Sequence, residues 1–172
     1  MRSTILILIV LVMVSVLAYS QQAGGSPYIG YVYKGVLLRK TLPNGVKDLG
    51  GGLIGDVEAD PVHEIAEMQK GTTRMLWLNV STGKDPSGVT GWRVLDVLSF
   101  PKLSKTDYTF FAGDPGVDCR RHGKAIPNVA GIGRIMRRQG VFRPSKLWVA
   151  NLTTKKFERL AIAGVKCEYS QP

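Results

Sequence analysis

A small all-β domain, either a sandwich or a barrel, held by one disulfide and with one short helix as a candidate, is the fold this sequence predicts. Three observations predict it. Short segments rich in β-branched and aromatic residues recur along residues 28–169, separated by clusters of Gly, Pro, Asn and Asp, the pattern of strands joined by tight turns. The chain holds only two cysteines, Cys119 and Cys167. Its 172 residues, 44% apolar and 21% charged, suit a single globular domain.

The amino terminus stands apart from this pattern. Arg2 precedes an apolar run of 14 residues, 5–18, broken only by Ser15. A helix needs about 20 apolar residues to cross a bilayer, so no permanent membrane span is expected. The length is that of a signal-peptide core. Ala18 and Ser20 put small side chains where a signal peptidase reads them before Gln21, and no cysteine near the junction suggests a lipid anchor. The division that follows is a signal peptide over 1–20, a flexible leader over 21–27 and one β-rich domain over 28–172. A secreted or periplasmic protein is expected, and an oxidising compartment favours joining Cys119 to Cys167.

Within the domain, residues 28–40 favour a strand, and Pro43-Asn44-Gly45 a turn. Gly50-Gly51-Gly52 precedes the apolar run 53–57. A phosphate loop would require a lysine and a hydroxyl residue at the start of a helix; neither follows, so the glycines are expected in a bend or bulge between strands. Asp60-Pro61, with Val62, Ile65 and Ala66 before Lys70-Gly71, fits a short helix with a capping carboxylate, proline at its first position and a glycine stop. The same residues also fit a strand entering a hairpin at 70–73. Residues 75–80 are strand-like, 81–91 a polar loop, and 92–100 a strand or short helix ended by Pro101.

The second half alternates more regularly. Strand-like pieces at 108–111 and 129–136 are separated by the loop 113–116, by Cys119 and by a turn at 121–124. Residues 147–152 and 157–162 flank Thr153-Thr154-Lys155-Lys156 as a hairpin, and 165–169 is a last strand containing Cys167. Trp148 lies 29 residues after Cys119 and Cys167 only 48 after it, a spacing that argues against an immunoglobulin core. The stretches Trp148-Val149-Ala150-Asn151, Lys156-Phe157-Glu158 and Gly164 to Glu168, with Trp92 to Leu98, resemble small exported bacterial proteins that have no assigned function. That resemblance agrees with secretion and implies no catalytic residue.

Charge is distributed unevenly. The chain carries 23 basic and 13 acidic residues, a net charge of +10. Residues 21–100 balance at eight of each sign, whereas residues 101–172 hold fourteen basic and five acidic. Between Cys119 and Phe157 there is no carboxylate. The expected binding patch is Arg120, Arg121, Lys124, Arg134, Arg137, Arg138, Arg143 and Lys146, with Lys155 and Lys156 further along. If residues 130–139 are helical, Arg134 and Arg138 share a face; if they form a strand, Arg134 and Met136 face opposite to Arg137. Segregated cations attract anionic polymers, lipid or acidic proteins. Nucleic acid is disfavoured, because no docking motif or aromatic stacking platform accompanies the arginines.

Catalytic signatures are sparse. His63 and His122 are the only histidines, and a small hydrolase would have to use one of them. Pairing Cys119 with His122 as a thiolate site would conflict with the disulfide. Asp114 and Asp118 supply two carboxylates where calcium takes six to eight oxygens, so neither metal nor cofactor is expected. The sequons at Asn79 and Asn151 matter only along a eukaryotic secretory route. The expectation is therefore an exported binding or accessory domain whose basic half meets an anionic surface or partner, with a structural role in envelope assembly as the alternative.

Overall fold

The computed structural model describes residues 25–35, 41–112 and 116–170. The predicted signal peptide, most of the predicted leader, the end of the first predicted strand and the loop residues 113–115, which include Asp114, lie outside them. The fold is nearly all β, in two sheets. Strands β1 (Val32–Lys34), β2 (Val46–Ile54), β3 (His63–Lys70), β4 (Thr73–Lys84) and β5 (Thr90–Ser99) form the first sheet, in the order β1-β5-β4-β3-β2. Strands β6 (Tyr108–Phe111), β7 (Val117–Arg121), β8 (Lys124–Ala125), β9 (Val129–Met136), β10 (Val141–Asn151), β11 (Lys156–Leu160) and β12 (Val165–Tyr169) form the second. Its order is β6-β9-β10-β12-β7-β8, with β11 also on β10.

No α-helix occurs among the described residues, which overturns the short-helix candidate at residues 60–71. Its span is β3, paired with β2 on one side and β4 on the other. Ile65 faces the second sheet while Ala66 and Met68 face away from it, and all three are buried. A strand buried on both faces loses the polar–apolar alternation that marks strands in sequence, so capping chemistry suggested a helix that pairing overrides. Residues 92–100 resolve likewise as strand. The glycine run lies inside β2 rather than between strands, with a bulge between Asp48 and Gly50.

The core lies between the sheets. Ile54, Ile65, Leu76 and Leu78 of the first sheet and Phe100 pack against Ala130, Ile132, Trp148 and Ala150 of the second. The far face of the first sheet buries Tyr33, Met68, Trp77 and Trp92. The far face of the second buries Phe110, Val129, Phe142 and Leu147 around Cys119 and Cys167.

The second sheet curls around that last cluster. Its strands β6 and β12 are separated by β9 and β10, yet the rings of Tyr108 and Tyr169 come within 6.3 Å. Gly131 and Gly133 make room on the concave face. A Cβ on Gly131 would stand 2.5 Å from the Phe110 ring, and one on Gly133 2.2 Å from the Arg143 carbonyl oxygen. The expected disulfide is present: Cys119 and Cys167 stand directly opposite on β7 and β12 and are joined.

Candidate anion-binding face

Strand alternation sorts the cations of the second sheet. On β12, Val165, Cys167 and Tyr169 pack with the inner cluster, which turns Lys166 and Glu168 outward. On β7, buried Cys119 likewise sends Asp118 and Arg120 outward. Lys166 stands directly opposite Arg120, and Arg134 of β9 directly opposite Arg143 of β10. Phe142 pairs with Cys167, so the next residue, Arg143, stands beside Lys166, and both line one hollow. The result is a row, Arg134–Arg143–Lys166–Arg120, across four adjacent strands. At about 4.8 Å between strands, it spans about 14 Å.

Two hollows meet along this row. One of about 530 Å³ is lined by Asp118, Arg120, His122, Gly164, Lys166 and Glu168. The other, of about 460 Å³, lies where β10 leaves β12, with Arg143, Pro144 and Val165 in its wall. Lys166 and Glu168 line both. The second hollow follows from the sequence. β10 pairs with β12 at Val141 and Phe142 and with β11 from Leu147 onward, and the stretch between holds Pro144, which has no N–H to offer a neighbour. A bulge at Ser145 re-aims the strand there, and the Ser145 hydroxyl donates to the Ile132 carbonyl at 3.0 Å.

Carboxylates border the cations. Asp118 pairs with Arg120 at 2.9 Å, and its hydrogen bond and charge hold the Arg120 guanidinium further above its ordinary pKa. Asp107 is held below the usual aspartate range by the Ser104 backbone N–H, then its hydroxyl, with Arg134 adding its charge. Among the described residues, Arg143 and Lys166 form no ion pair.

The predicted patch is therefore only partly gathered. Arg120, Arg134 and Arg143 stand in the row. Arg121 points to the inner side, half-buried, where its guanidinium donates to the Ala161 carbonyl while its Nε has no partner among the described residues. Lys124 opposes it on β8, exposed. Arg137 and Arg138 sit exposed in the 3-10 turn between β9 and β10, and Lys146 is half-buried beyond the bulge. Lys166 was not in the predicted patch, because the patch followed a carboxylate-free window that ends before Glu158. The alternation of Val165, Cys167 and Tyr169 was the signal that would have found it.

The histidines occupy different surroundings. His122 lies exposed in the β7–β8 turn with φ 52°, against Gly164, where a Cβ would stand 3.2 Å from its ring. His63, at the start of β3, is half-buried, and burial and then Lys155 lower its pKa. Among the described residues neither hydrogen-bonds a carboxylate, no His, Cys, Asp and Glu cluster could hold a metal, and Cys119 is committed to the disulfide. Asn79 of the first sequon is fully buried, its carboxamide donating to Glu64 at 3.2 Å. No helix among the described residues is long and apolar enough to cross a membrane.

Comparison with known proteins returns no matching protein family, curated protein or solved structure.

Proposed function

We propose that this is an exported binding or accessory domain that meets an anionic partner through the exposed cation row of its second sheet, on the face opposite the Cys119–Cys167 cluster. The observation that carries the reading is the cation row. Like charges placed directly opposite in an antiparallel pair destabilise it, and here two such pairs, Arg134 with Arg143 and Arg120 with Lys166, stand side by side. An anion laid along the row removes that repulsion. Export is supported by the amino-terminal apolar run and agrees with the disulfide.

The test is binding of the purified protein to anionic polymers and lipids at low and physiological salt, beside an Arg134→Ala/Arg143→Ala variant. Binding that weakens with ionic strength and drops about tenfold or more in the variant is the expected result. Equal binding by the variant, or none by the wild type above a neutral control, sinks the reading.

One observation favours a structural role instead. β2 is an edge strand, and Leu49, Leu53 and Val57 are exposed along and just after it, a surface suited to strand-edge association. Salt-insensitive self-association lost on Leu53→Lys would support that second reading.

A further inference from the structure

Resting on the reading above, we propose that the groove along Arg143, Lys166 and Arg120 takes a linear anionic glycan, with the cations holding its charged groups and Asp118 and Glu168 accepting hydrogen bonds from its hydroxyls. The mixture of signs is the reason. Both carboxylates line the larger hollow together with Arg120 and Lys166, and an ionised carboxylate can only accept hydrogen bonds. A ligand made of acceptors alone, such as a polyphosphate, is repelled at those two positions. A charged glycan chain carries donors and anions in alternation and satisfies both sets of groups.

The other anionic partners fit less well. A bilayer surface is engaged by apolar side chains beside the basic ones, yet the exposed large hydrophobics of the described residues are Ile29, Val32, Leu49, Leu53 and Val57, all on or beside the first sheet. Single-stranded nucleic acid is held by stacking on aromatic rings. Here Tyr108 meets Phe142 and Tyr169 edge to face on the concave side, away from the row. An extended peptide that adds as a strand needs a free sheet edge, whereas the row runs across strands and β10, β12 and β7 are interior to the sheet; acidic side chains held by an arginine cluster would, like phosphate, bring only acceptors to Asp118 and Glu168.

The experiment measures binding of the full protein to a sulfated glycosaminoglycan, polygalacturonate, polyphosphate, oligothymidylate, polyglutamate and phosphatidylglycerol vesicles, with four variants. Glycan affinity should fall about tenfold or more in Lys166→Glu and stay within about threefold in Lys166→Arg and in Arg137→Ala/Arg138→Ala. The deciding variant is Glu168→Ala. Removing a negative charge strengthens attraction to every polyanion on electrostatics alone, so weaker glycan binding beside tighter polyphosphate binding is the expected signature. If Glu168→Ala tightens both, the hydroxyl-accepting role is overturned while the anion-binding face stands. Preference for vesicles, oligothymidylate or polyglutamate over either glycan overturns the glycan in the same way, and the two glycan arms separate sulfate from carboxylate. No binding to any polyanion overturns this inference and the proposed function together.

Discussion

Asp85 closes the turn between β4 and β5 with a single carboxylate oxygen. Its Oδ1 accepts from the Ser87 hydroxyl at 2.6 Å and from the backbone N–H groups of Ser87 and Val89, each at 3.0 Å. The Ser87 hydroxyl first, then the Val89 N–H, hold its pKa below the ordinary aspartate value, because hydrogen bonds to the charged form favour it. A carboxylate whose folded pKa is depressed contributes stability above its unfolded pKa and loses that contribution as pH falls through the folded value. Protonation of Asp85, followed by NMR, should therefore have its midpoint below that of an aspartate in an unfolded peptide, and Asp85→Asn should flatten the acid side of the stability profile. A midpoint at the unfolded value would show that the turn does not rely on the charge. The buried pair Cys119 and Cys167 is a second residue-scale test. Replacing both with Ser should lower unfolding stability by about 2–4 kcal/mol, read as a shift of the urea midpoint; an unchanged midpoint would mean the strand register holds β7 to β12 unaided.

At the scale of elements, the contact between β9 and β10 depends on glycine. Gly133→Ala drives a methyl group into the Arg143 backbone at 2.2 Å and the Phe142 ring at 2.7 Å, and backbone cannot turn aside as a side chain can. The expected cost is about 3 kcal/mol or more, larger than for Gly131→Ala, whose two closest neighbours are the side chains of Phe110 and Leu147. Comparable urea midpoints for the two variants would refute that ranking. Legibility in sequence divides along the same lines. The β10–β11 hairpin, with Asn151 opposite Lys156, and β12 over residues 165–169 were readable, because local turn chemistry and alternation fix them. β3 was not, since its burial on both faces is a property of the assembled sheets. Of the cation row, Arg120, Arg134 and Arg143 were legible as charges. Their alignment was not, since it depends on which strands become neighbours, and β12 pairs with β10 although β11 separates them in sequence.

For the whole molecule, the row sets two salt dependences of opposite sign. The net charge of +10 is concentrated in residues 101–172, and the free second sheet holds like charges face to face at Arg134–Arg143 and Arg120–Lys166. Raising ionic strength from about 0.02 to about 0.3 M shortens the screening length severalfold, so the free protein should unfold at a higher temperature in salt, by on the order of 2–4 °C. Arg134→Ala/Arg143→Ala should show a smaller rise, because one of the two repulsive pairs is already gone. A bound polyanion relieves the same repulsion at low salt and stabilises by mass action, about 2.7 kcal/mol at a hundredfold excess over its Kd. Salt then dissociates it, so the midpoint of the complex should fall toward that of the free protein as ionic strength increases. Two thermal curves against salt, one with the anionic glycan and one without, should therefore converge from opposite directions. Flat, coincident curves would mean that the row neither repels itself in the free protein nor engages the ligand, and the charge surplus would reduce to a solvated surface.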